Sequence, residues 1–161
     1  METERTLVLG IGNTLLSDEG VGIHVINYLT AAYPDTTGVS FVDGGTLSFT
    51  LAHLLVENQR VIVVDAARTG GAPGTLVVLE AEEMDRYLMG NRSSVHEVGL
   101  MDLLDIARLS DHYPSHRALI GIEPESLEWG EQPSAVVAVV VPKAAEQVMA
   151  LVHKWDGGEN S

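Results

Sequence analysis

LVLGIGNTLLSDEGVGI, residues 7–23, decides the fold. An apolar run enters a turn containing Gly10 and Gly12, where the missing side chain lets the backbone bend sharply. Beyond it, Val21, Val25, Ile26 and Leu29 recur at helical spacing, so a strand at 6–10 and a helix at 18–32 are predicted. Asp18 and Glu19 open that helix, where the macrodipole favours negative charge. Strand, glycine turn and helix also begin the dinucleotide fingerprint. Here, however, its third glycine position holds Leu15. Carboxylates placed where a pyrophosphate would sit favour cations instead.

Outward from this stretch the pattern alternates. Strands are predicted at 39–43, 60–66, 75–80 and 117–124, and helices at 46–57, 82–88 and 97–109. The 60–66 run, RVIVVDA, is continuously apolar up to its aspartate, as in a parallel strand covered on both faces. Such alternation predicts an α/β sandwich of three layers, a mostly parallel sheet with helices on both faces. SAVVAVVV (134–141) has strand propensity. Pro133 and the spacing of Ala145, Val148, Met149, Val152 and Trp155 favour instead one helix kinked at Pro142. One domain over 1–156 with a loose tail at 157–161 is expected.

The formal charge of −14 opposes binding to nucleic acid or anionic membranes. With no cysteine there is no disulfide, no thiolate metal site and no cysteine nucleophile. Any metal must take oxygen and imidazole donors. No apolar run reaches the roughly 18 residues of a membrane span. The charged start METERTLVLG lacks signal-peptide anatomy, so a cytoplasmic protein without membrane insertion is expected.

In open α/β sheets, sites form at the carboxyl ends of strands. Glu19 lies just past the first strand, Asp43 ends the second and Asp65 lies near the end of the third. Each alone reads as a cap or turn acid. Three on one edge repel one another and resist dehydration, a conflict that a cation resolves. Among six histidines, His24, His53 and His153 fall within helices and read as packing or face residues. His112 and His116 have Pro114 between them and read as loop. His96 follows Ser93-Ser94-Val95 in a polar loop at a helix entrance, where an imidazole can turn into a cleft. Neither HExxH nor G-x-S-x-G occurs.

At these residues the chain resembles the hydrogenase maturation endopeptidases, which trim the large subunit of [NiFe] hydrogenases. Gly10-Ile-Gly-Asn13 with Leu15, Leu16, Asp18, Glu19, Gly20 and Gly22 is similar to the family's opening signature. Asp43-Gly44-Gly45-Thr46, Val64-Asp65-Ala66, Ala72-Pro73-Gly74-Thr75, His96 with Gly99-Leu100, and the run GIEPESLE (121–128) follow in the family's order. The resemblance implies a five-stranded twisted sheet and a nickel-recognising site of Glu19, Asp65 and His96. It also implies removal of a C-terminal extension from a large-subunit precursor already loaded with nickel. Asp43 matches a further position linked to cleavage. Ni²⁺ is expected to arrive with the precursor, and Zn²⁺ or Cd²⁺ to suit the same donors. Asp43 or Asp65 is expected to act as general base beside a metal-polarised carbonyl or water, with Asn13 and the glycine-turn amides as oxyanion donors. The catalytic set is thus Asp43, Asp65 and Glu19, in a monomer that docks transiently. A non-enzymatic nickel-binding accessory protein would need the same donors, though the chain lacks a histidine-rich tract. A dinucleotide oxidoreductase would share only the fold class, and a germination-type protease is more distant.

Overall fold

The computed structural model describes residues 5–45, 51–90 and 95–157, with backbone alone for 95–99. Five strands form one sheet: β1 (Thr6–Gly10), β2 (Val39–Asp43), β3 (Arg60–Ala66), β4 (Leu76–Glu80) and β5 (His116–Ile122), in the order β2-β1-β3-β5-β4. The first three match the predicted boundaries. β1 pairs in parallel with β2 and β3, and β3 with β5, while β4 runs antiparallel to β5. The reason lies in the connection. Only residues 67–75 join β3 to β4, too few for the crossover of a dozen or more residues that a parallel return requires.

Alternation divides the core between the two faces. Val8, Ile62, Val64 and Ile120 point to one side, against α1 (Val21–Ala32), α5 (Ala135–Ala138) and α6 (Val141–Gly157). Leu7, Leu9, Val61, Val63 and Leu119 point to the other, against α2 (Ala52–Glu57), α3 (Glu82–Gly90) and α4 (Val95–Leu109). Each fully buried Val or Leu contributes roughly 1.5–3 kcal/mol relative to exposure, so both faces hold the sheet.

Three predicted elements differ. The helix expected at 18–32 divides into a 3-10 turn, Ser17–Gly20, and α1. Asp18 is therefore no exposed first-turn acid but fully buried. The 134–156 stretch is not one helix kinked at Pro142: α5 and α6 are separated by a turn at 139–140, and Pro142 sits in the first turn of α6, where its missing N–H costs nothing. Strand propensity yields here because Val137 joins the core from α5 and Val140 from the turn after it. Finally, α4 starts at Val95, so His96 lies in a helix turn rather than a loop. The Ala135–Gly157 stretch is apolar enough for a membrane span by length and composition, with 50% of its most apolar window buried in the core. The expected helix at 46–57 is described only from 51, and the expected tail lies outside the described residues beyond Gly157.

Candidate active site

The site edge is built by close backbone approach. A Cβ on Gly22 would meet the Val64 carbonyl oxygen at 2.2 Å and that of Ile11 at 2.6 Å. Glycine there seats the start of α1 directly on the carboxyl ends of β1 and β3. Gly12, with φ +143°, has the Glu19 carbonyl oxygen 2.1 Å from where a Cβ would stand. Both glycines belong to the stretch that opens the sequence, and together they press the Glu19 turn onto the sheet edge.

The Asp43-Gly44-Gly45 turn folds over the same edge. Asp43 pairs in register with Gly10, the Gly44 N–H donates to the Gly10 carbonyl at 2.8 Å, and the Gly12 N–H to that of Gly45 at 2.8 Å. The Ile11 N–H donates to the Val64 carbonyl at 3.0 Å, one residue before Asp65. The structure thus brings Glu19, Asp43 and Asp65 to one edge, as strand order predicts. Their environments differ: Asp65 is 5% exposed, Glu19 half-buried and Asp43 exposed, its Oδ1 accepting the Gly45 N–H at 2.9 Å.

His96 reaches this edge by topology. The Ser115 N–H donates to the Gln59 carbonyl at 2.9 Å, so the chain enters β5 beside the start of β3, at the amino edge. α4 leads into that entry, so its N-terminus, with His96, lies toward the carboxyl edge. Its fifteen residues span about 22 Å at 1.5 Å each, comparable to β5. α4 also covers the face to which Val61, Val63 and, by alternation, Asp65 belong. Among the described residues no group of three His, Asp and Glu side chains forms a metal site, and the side chain of His96 is not among them.

The other histidines follow expectation in part. His24 lies in α1, where burial lowers its pKa against the opposing field of Asp18. His53 and His153 are exposed on α2 and α6, and His112 is exposed in the α4–β5 loop. His116 departs from the loop prediction: it opens β5, its ring 5.2 Å from that of Trp155.

The oxyanion expectation requires correction. The N–H groups of Ile11, Gly12, Gly44 and Gly45 are all committed to carbonyl or carboxylate acceptors. Of the expected donors around this turn, the Asn13 amide NH₂ remains, since its Oδ1 accepts the Leu15 N–H at 2.9 Å.

Two acids that sequence reasoning left out or misread hold the surrounding loops. Asp18 accepts N–H bonds from Glu125, Ser126 and Ser134 and the Ser134 hydroxyl, at 2.7–3.0 Å. Burial opposes its ionisation, but these donors outweigh that and hold its pKa below the ordinary aspartate value. Glu123, just after β5, accepts the Thr69 N–H at 2.6 Å, the Thr69 hydroxyl at 3.0 Å and the Gly70 N–H at 3.2 Å. Burial again opposes ionisation, and these bonds with Arg68 at 3.4 Å win, lowering its pKa. The loop just past Asp65 is thereby fixed. A carboxylate directly following the uncharged run Ala118–Ile122 is the signal available in the sequence.

The chain is similar to known proteins over nearly its whole length. The family model for hydrogenase maturation proteases matches residues 23–151. The chain belongs to that family. The hydrogenase expression/formation protein HupD of Rhizobium leguminosarum is 38% identical over 152 residues, covering 94% of this chain and 75% of that protein. The hydrogenase 2 maturation protease of Escherichia coli is 35% identical, covering 93% and 92%. Among solved structures, the maturating endopeptidase HybD of Escherichia coli superposes with a TM-score of 0.87 at 34% identity, covering 93% of each chain. The HybD maturation protease of Thermococcus kodakarensis gives 0.77 at 27% identity, covering 91% and 98%. This hydrogenase maturation protease is accordingly a hydrolase of the endopeptidase class, and its five-stranded α/β fold is that of the family.

Proposed function

We propose that this maturation protease removes the C-terminal extension of a [NiFe] hydrogenase large-subunit precursor once nickel has been inserted, reading the precursor's nickel through Glu19, Asp65 and His96. The observation that carries the reading is the convergence of Glu19, Asp43 and Asp65 on one sheet edge in a chain of this family, with the His96 end of α4 directed to the same edge. Two carboxylates and an imidazole suit a borderline divalent ion, and three protein donors leave positions open for the substrate's own ligands.

Asp65, buried, and Glu19, half-buried, are the holding groups in this reading. Asp43, exposed on the same edge, takes a proton from water as it attacks the scissile carbonyl in this reading. The Asn13 amide is the donor for the developing oxyanion. Nickel carried in by the precursor supplies Lewis acidity at the reacting carbonyl. Glycine turns and the Glu123 and Asp18 anchors fix the edge before substrate arrives.

The test supplies nickel-loaded and nickel-free precursor to the purified chain and follows the shortened large subunit on a gel. Shortening of the loaded form alone, abolished by His96→Ala, is expected. Equal shortening of both forms rejects nickel recognition. Nickel bound and passed on with no shortening would make the chain an accessory protein instead.

A further inference from the structure

The apolar surface beside the site has a distinct composition. Leu15 is 49% exposed, Leu127 43% and Trp129 81%. They come from two loops, 13–18 and 124–131, sewn together. The Gly130 N–H donates to the Leu15 carbonyl at 2.9 Å, the Ser17 N–H to that of Gly130 at 2.8 Å, and the Ser17 hydroxyl to that of Glu128 at 2.6 Å. Leu16 and Gly130 form a parallel bridge, so Leu15 and Trp129 occupy neighbouring positions one step before it on each strand. Asp18 locks both loops from beneath. The other exposed large apolar residues, such as Met89, Leu109 and Val139, stand singly on separate elements. Single exposed residues need no explanation, whereas an apolar group held on a rigid platform marks an interaction surface.

Charge narrows the partner. Glu125, Glu128 and Glu131 are exposed on the same loop. No lysine or arginine occurs between Arg5 and Arg60 or between Arg117 and Lys143, the two segments that supply the platform. In a chain of formal charge −14, this surface repels a second copy and attracts cations.

We propose that this platform docks the hydrogenase precursor through a segment presenting apolar side chains flanked by lysine or arginine, with Trp129 as the central anchor. The proposal rests on the endopeptidase reading above. Leu15 lies four residues before Glu19, so a segment seated on the platform is delivered to the edge carrying Glu19, Asp43 and Asp65. An indole already exposed on a fixed loop loses little freedom on binding, which suits it as an anchor.

The test measures precursor binding and cleavage separately. Titration with nickel-loaded precursor is expected to shift Trp129 emission to the blue, a change absent in Trp129→Phe, where the buried Trp155 alone reports. Trp129→Ala should raise KM about tenfold or more with kcat unchanged, and its thermal midpoint should match wild type. Replacing Glu125, Glu128 and Glu131 together by Gln should flatten the rise of KM with salt. A Trp129→Ala KM within about twofold of wild type, where tenfold is expected of an anchor, would overturn the proposal while cleavage sustains the endopeptidase reading. Precursor that covers Trp129 without being shortened would sustain the platform and reject that reading. Neither binding nor cleavage rejects both, and a wild-type dimer made monomeric by Trp129→Ala would assign the surface to a second copy.

Discussion

Ser134 gives both its N–H and its hydroxyl to the buried carboxylate of Asp18, each at 2.7 Å, across 116 residues of sequence. Through this pair and the Glu125 and Ser126 N–H groups, the loop before α5 is tied to the turn that carries Glu19. Asp18→Asn replaces an acceptor-only group with one that presents NH₂ to the same donors. A buried donor left unsatisfied costs about 1–3 kcal/mol, so a loss of roughly 2–4 kcal/mol is expected for the cluster. Urea denaturation measures it; an unchanged midpoint would show that the latch contributes nothing.

Gly22 faces backbone, not movable side chains, on two sides. Gly22→Ala should therefore destabilise by about 3 kcal/mol, at the upper end of overpacking costs, and displace the Glu19 turn. Gly38→Ala makes the contrast: nothing stands within 4 Å there, and the penalty comes from its φ of +78° alone. Comparing the thermal midpoints of the two variants separates close approach from backbone conformation.

Asp43 and Asp65 share an edge but not an environment, and their variants should part accordingly. Asp43→Asn is expected to slow cleavage by about 10²–10⁴ while nickel-loaded precursor still binds. Asp65→Asn should lose both binding and cleavage. Full activity of Asp43→Asn would remove it as the base.

Stability should fall in acid. Arg117 donates to both Asp85 oxygens, at 3.0 and 2.6 Å, and this bond is the main cause of the lowered Asp85 pKa. Glu123 is lowered as well. Groups depressed in the fold stabilise it above their ordinary values of 3.8 and 4.5, and that contribution drains as pH falls through the folded values. Asp85→Asn should lower the melting temperature most near neutral pH and least below about pH 4, flattening its fall in acid.

Periodicity and punctuation alone made most of the fold legible. Alternating strand and helix patterns, and runs such as RVIVVDA, leave few arrangements other than a sheet buried on both faces, because apolar surface must be covered. The same rule placed Glu19, Asp43 and Asp65 on one edge, since parallel strands end together. Three things were decided only in the folded molecule. β4 lies beyond β5 at the sheet edge and pairs antiparallel with it, a strand order that propensity leaves open. Asp18 and Glu19, adjacent in sequence, parted into a buried anchor and a half-buried site acid because residues more than a hundred positions away supplied the donors for one of them. The Leu15–Trp129 platform exists only because two distant loops bond through their backbones, a contact that no local pattern encodes.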